Sequence, residues 1–240
     1  LGIMFYRGEA VDPDFPEAQR WIRQAAEQVH PEAMSYMGDF YYDGEGVSKD
    51  LNVAAKWYEK AAQAGSMHAR CSLACMYRDG EVGEKNLEEA ARLFLLAAEE
   101  GNAGAQYEIG RMCREGTGVP LDLGKAAKWF HAAAEQENNN AEFNLAEMLE
   151  KGDGVKIDEK EALYWYNRAA EQGSEAALFR LGTKYEVGQG VTKDFRQALW
   201  YYEKAANGGS KRARVRFDLL KQPAVSSSFE AKPFSLSPGK

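Results

Sequence analysis

The sequence predicts an all-α chain, a right-handed α/α solenoid of 36-residue helix-turn-helix repeats. Three columns carry that reading. Sliding the chain by 36 residues aligns a large apolar residue followed by a small one at Leu1-Gly2, Met37-Gly38, Leu73-Ala74, Ile109-Gly110, Leu145-Ala146 and Leu181-Gly182, and Phe217-Asp218 keeps the phase. A second column reads Trp21, Trp57, Leu93, Trp129, Trp165, Tyr201. A third is alanine throughout, at 26, 62, 98, 134, 170 and 206. One helical pair cannot bury its apolar face alone, so neighbouring pairs must stack.

The elements follow in order. Leu1 falls in the middle of a first helix and the chain starts without Met, so a fragment or processed product is expected, with a signal peptide or further domain upstream. In the second unit, helix A runs from about Pro31 to Tyr42, with Ala33, Met37 and Tyr41 on one face. The loop Gly44-Glu45-Gly46-Val47-Ser48-Lys49 follows, and Asp50 opens helix B. Helix B extends to about Ala64 on an apolar face of Ala54, Trp57, Tyr58, Ala61 and Ala62, and Gly65 ends it. The cap position recurs as Asp14, Asp50, Asn86, Asp122, Asp158 and Asp194, where a side-chain oxygen accepts a first-turn amide. Glu17, Glu89 and Glu161 stand three residues later, as in a capping box. Gly65, Gly101, Gly173 and Gly209 fill the position past helix B, which favours a left-handed residue. Val29 and Glu137 break that column, so their turns are expected to differ. The small column gives Gly and Ala for close helix approach, and the Trp column is expected to fill the remaining gap.

At the far end, Asp218 in the small column, with Arg212, Arg214 and Arg216 around it, reads as a solvating cap near 211–221. Residues 1–221 are therefore expected to be a single solenoid domain of about six repeats plus that cap. Residues 222–240 form a Ser/Pro-rich tail, flexible or docking on the chain itself or a partner through Phe229, Phe234 and Leu236.

These columns resemble the Sel1-like repeat, a relative of the tetratricopeptide repeat. The matching stretches are Leu181-Gly182-x-x-Tyr185-x-x-Gly188-x-Gly190-Val191-x-x-Asp194 and Ala54-x-x-Trp57-Tyr58-x-Lys60-Ala61-Ala62-x-x-Gly65. Gly8-x-x-Val11, Gly80-x-x-Gly83, Gly116-x-Gly118-Val119 and Gly152-x-Gly154-Val155 carry most of it elsewhere, with Ala10 and Val82 in place of the second loop Gly. The resemblance implies a general adaptor scaffold, of a kind common in bacteria, with helix A lining a concave groove.

Chemistry is sparse by comparison. No His-Glu-x-x-His occurs, and His30, His68 and His131 occupy three different repeat positions, so no metal, cofactor or catalytic residue is expected. A net charge of −7 argues against nucleic acid as the main partner, because counterion release needs clustered cations. Residues 211–240 hold seven Lys or Arg against two Asp or Glu, which leaves −12 on residues 1–210. No apolar run approaches the ~20 residues of a membrane span. Cys71, Cys75 and Cys113 cannot frame a disulfide fold, and unpaired cysteines favour the cytoplasm, with the periplasm or secretion as the alternative.

The candidate binding residues come from helix A. Two residues before the apolar anchor stand Tyr107, Phe143 and Phe179, an aromatic stripe on three successive repeats. Two residues after it stand Asp39, Cys75, Arg111, Glu147 and Thr183, and five after it Tyr42, Arg78, Arg114, Glu150 and Glu186. Arg78, Arg111 and Arg114 read as a basic patch beside the start of the stripe. Aromatics and Arg are the residues enriched at binding hot spots. The expected function is a non-enzymatic scaffold binding a protein or peptide in the concave groove. The alternatives are a structural subunit of an envelope or secretion assembly, using its convex face or ends, and a β-lactam or cell-wall ligand binder or hydrolase.

Overall fold

Side-chain caps open most of the helices, the first (Gly2–Arg7) and the third (Pro31–Asp43) excepted. The computed structural model describes residues 1–8 and 14–222, so Ala10, Val11 and the tail from Pro223 lie outside the described residues. Among the described residues there are thirteen helices and no strand. They are α1 (Gly2–Arg7), α2 (Phe15–Glu27), α3 (Pro31–Asp43), α4 (Leu51–Gln63), α5 (Met67–Asp79), α6 (Leu87–Glu99) and α7 (Ala103–Glu115). There follow α8 (Leu123–Glu135), α9 (Asn139–Lys151), α10 (Glu159–Glu171), α11 (Glu175–Val187), α12 (Phe195–Gly208) and α13 (Lys211–Leu220). The chain divides into two units, Leu1–Trp129 and Phe130–Lys240, the boundary falling within α8. In the first unit α3 packs on α4 and α5 on α6; in the second α9 packs on α10, α11 on α12 and α12 on α13.

All six members of the Asp/Asn column cap a second helix by accepting a backbone amide at 2.8–3.1 Å. A second cap column, not anticipated, opens the first helices: Ser66, Asn102, Asn138, Ser174 and Ser210 each accept the amide three residues on. First helices end on a left-handed Gly, as at Gly44 (φ 80°) and Gly116 (φ 69°). Gly118 needs its missing side chain most, since a Cβ there would come within 2.1 Å of the Leu87 carbonyl oxygen.

Two expectations are corrected. Val29 and Glu137 do not change their turns. They adopt φ 61° and 63° themselves, and keep the bonds of the Gly turns: Val29 N to Ala26 O and Glu137 N to Ala134 O at 3.0 Å, against 3.1 Å for Gly65 N to Ala62 O. The flanking helices, fixed by their packing, override the residue's own preference. Nor is the Trp column the main filler. The residue after it is: Tyr58, Phe94, Phe130, Tyr166 and Tyr202 are all 2% exposed or less, whereas only Trp165 of the tryptophans is buried, at 5%. Rotation by ~100° per residue aims that next ring at the small column. A Cβ on Gly38 would sit 2.4 Å from the Tyr58 ring, and one on Gly182 2.7 Å from the Tyr202 ring.

Candidate functional site on the first helices

In the first unit, Asp39 on α3 is mostly covered and accepts hydrogen bonds from Tyr58 Oη (2.7 Å) and from His68 Nε2 (3.0 Å). That bond to Asp39 raises the His68 pKa above its usual value, against the opposing effect of burial. Tyr42 Oη donates to Glu81 Oε1 at 3.0 Å, and the Lys49 ammonium lies 5.2 Å from its ring centroid. The hydrogen bond to Glu81, then burial, raises the Tyr42 pKa. Arg78 and Arg111 converge on Glu108, each at 3.1 Å. Arg78 also binds Asp79 through both oxygens, and Arg111 binds Glu115 at 2.9 Å. The cationic cluster thus carries its own carboxylates. Tyr107 and Arg114 are half-buried on α7.

In the second unit, Phe143 and Phe179 are half-buried and braced from the second helices. Phe143 meets Tyr166 at a centroid distance of 5.7 Å, and Phe179 meets Tyr202 at 5.5 Å. Glu147 accepts from Arg180 at 2.8 Å. Beside them Glu150, read from the sequence as a groove residue, is instead buried in an ion pair: Lys184 Nζ is 2.5 Å from Glu150 Oε1, and Tyr166 Oη donates to Glu150 Oε2 at 2.9 Å. Burial works against the Glu150 charge, but the bonds from Lys184 and Tyr166 outweigh it and hold the carboxyl below the usual range. Glu186 repeats the arrangement, bonded by Arg216 and by Tyr202 Oη (2.8 Å). Its pKa is also lowered, burial again being overcome by those two bonds.

A signal for these pairs did exist. The second helix carries Tyr58, Tyr166 or Tyr202 in repeats whose first helix offers Asp39, Glu150 or Glu186, and Phe94 in the repeat that offers Cys75 and Arg78. The hydroxyl appears where a carboxylate needs a donor.

Burial pushes the Cys71 thiol up to about 11, and Cys75 upward as well, so neither is a thiolate nucleophile near neutrality. Among the described residues no group of three or more His, Cys, Asp or Glu is placed to hold a metal ion, and no helix is long and apolar enough to cross a membrane.

The family model for the Sel1 repeat matches residues 1–30, 31–66, 68–102, 103–138, 139–174 and 175–210. Among solved structures, the chain is similar to a protective antigen present in uropathogenic Escherichia coli strains that displays an SLR fold. That likeness has 34% identity and a TM-score of 0.87, over 92% of this chain and 47% of that one. The chain therefore spans about half the length of the antigen. A Sel1 repeat protein from Oxalobacter formigenes is 32% identical with a TM-score of 0.77, over 86% of this chain and 84% of that one. Yeast Tom70, at 17% identity and a TM-score of 0.52 over 93% of this chain and 48% of that one, shares the fold alone. No curated protein matches the chain. Sel1 repeat proteins generally mediate protein–protein interaction, on what is generally a non-catalytic scaffold. With six contiguous repeats matched, each with the caps and small column that make it fold, this chain belongs to the Sel1 repeat family.

Proposed function

We propose that the chain is a non-enzymatic interaction scaffold that holds a peptide or protein segment along its first-helix faces. One observation supports it: those faces carry half-buried rings and paired charges held in place from behind. In the second unit these are Phe143 and Phe179 beside the Glu147–Arg180 pair. In the first they are Asp39, Tyr42, Arg78, Tyr107, Arg111 and Arg114. Rings already braced by Tyr166 and Tyr202 lose little rotamer freedom when a ligand covers them. A segment with apolar anchors fits the face of the second unit, and an acidic segment fits the arginines on the face of the first.

The test is affinity capture with two baits. One is the chain itself. The other exchanges Glu147→Arg with Arg180→Glu and adds Arg111→Glu, keeping an ion pair within the chain while inverting what a ligand meets. A partner held by the first bait and lost by the second, at unchanged helical circular dichroism, supports the reading; equal retention overturns it. A second reading, a structural subunit docking through its second helices, draws on Tyr164 (53% exposed) and Trp200 (50%), which share one repeat column in the second unit. A partner lost only on Tyr164→Glu with Trp200→Glu would favour that.

A further inference from the structure

A feature of the second helices is independent of the first-helix faces. Trp21, Trp57, Trp129 and Trp165 share one column, and Leu93 interrupts it in the third repeat. Two of these indoles are tied down alike. Trp21 Nε1 donates to Glu17 Oε1 at 2.8 Å, and Trp165 Nε1 to Glu161 Oε1 at 3.2 Å. Arg20 completes the first arrangement: its guanidinium lies 5.6 Å from the Trp21 ring centroid and bonds the other oxygen of Glu17 at 3.4 Å. Trp165 also meets the His131 ring edge-on, at a centroid distance of 5.8 Å.

The third repeat keeps the carboxylate and the guanidinium of this clamp, lacks the ring, and has Glu59 in place of His131. Glu89 corresponds to Glu17 and Glu161, Arg92 to Arg20, and Glu59 to His131. Glu89 and Arg92 form a bidentate pair, at 2.6 and 2.8 Å. Beside Leu93 opens a cavity of about 410 Å³, lined by Glu59, Arg70, Leu73, Tyr77, Glu89 and Arg92 among others. Leu73 and Leu93 are buried and Leu96 is 38% exposed, so an apolar wall faces the charged side chains of Glu59, Arg70, Glu89 and Arg92 across the cavity.

We propose that this notch receives a tryptophan side chain presented by a partner protein. The cavity supplies the apolar contact, Glu89 accepts the indole N–H as Glu17 and Glu161 do, and Arg92 covers the ring face as Arg20 does. Phenylalanine fills the same space without the hydrogen bond. The exposed Glu89–Arg92 pair contributes little on its own, so it yields one oxygen readily.

The test is an NMR titration of the full chain with N-acetyl-tryptophanamide and N-acetyl-phenylalaninamide. Saturable shifts are expected at the amides of Glu59, Tyr77, Glu89 and Leu93, with the tryptophan compound bound about tenfold tighter, the size expected for a hydrogen bond to a charged group. Leu93→Trp should abolish the shifts and raise the Tm by roughly 2–4 °C, because the chain then fills its own notch. Glu89→Ala, which leaves the Asn86 cap intact, should retain binding and lose the preference. Equal affinity for the two amides overturns the proposal. So does unchanged binding by the Leu93→Trp variant, or a Leu93→Trp variant that is less stable or unfolded. Self-association that Trp200→Ala abolishes would give the notch to a second copy and overturn the assignment to a partner.

Discussion

Val29 is the residue whose conformation is least its own. A β-branched side chain in the left-handed region is strained by roughly 1–2 kcal/mol, and at 66% exposure it gains little packing in return. Val29→Gly relieves the strain and loses part of the gain to the freer unfolded chain. The expected net is about 1 kcal/mol of added stability, read as a Tm increase of ~2–4 °C in a thermal melt; a lower Tm would show that the turn, not the flanking helices, sets the angle. Glu137→Gly should gain less, because Glu is unbranched. These two positions also mark where the sequence misled. A missing Gly is a local signal, and it was outweighed by two helices that were already legible from Asp14, Asp122 and the cap columns around them.

At the level of helix pairs, α9, α10 and α11 are joined by the buried group of Glu150, Tyr166 and Lys184, with Lys184 3% and Glu150 11% exposed. Removing one partner of such a pair strands the other charge, at about 3–5 kcal/mol. Glu150→Gln should therefore lower the Tm markedly at pH 7. The pH dependence follows from the lowered Glu150 pKa. A depressed carboxyl contributes stability that is complete above its unfolded value, about 4.3, and is lost as pH falls through the folded one. The Tm gap between the native chain and Glu150→Gln should thus narrow below about pH 4; a gap unchanged down to pH 3 would mean the pair contributes nothing through charge. Pairs of this kind were hard to read in advance. Arg180 and Glu147 are 33 residues apart, Arg216 and Glu186 are 30, and which charge meets which depends on how successive first helices lie side by side. Caps depend on three adjacent residues, so they were readable. The Tyr and Phe column was legible only in part: the sequence places Tyr58 on the apolar face, but the larger neighbouring tryptophans read as the main filler.

For the molecule as a whole, stability in a repeat chain is close to a sum of local terms. Gly38 and Gly182 stand in different units and face different rings, Tyr58 and Tyr202. Gly38→Ala and Gly182→Ala should each destabilise by about 1–3 kcal/mol, because a methyl must displace a buried ring. Their sum should match the double variant within about 0.5 kcal/mol, as for distant sites without shared partners, measured by chemical denaturation. Strong non-additivity would mean that unfolding couples the two units. The fold, its phase and its caps were thus open to a reading of single residues, whereas the candidate site was open only as a set of columns: Tyr107, Phe143 and Phe179 could be aligned from the sequence, but not their half-burial or the carboxylates around Arg78 and Arg111.

The uniform caps have a genetic consequence. Ser66 and Asn102 open first helices in the same way and follow the same turn. Excising residues 67–102 would join Ser66 to Ala103 with every cap and every column still in phase. A gene encoding such a chain can therefore gain or lose one repeat by recombination between its own copies without creating a mismatched turn. That particular excision would take Leu93 and its cavity with it, so a binding specificity can be acquired or discarded in a single event while the rest of the scaffold persists.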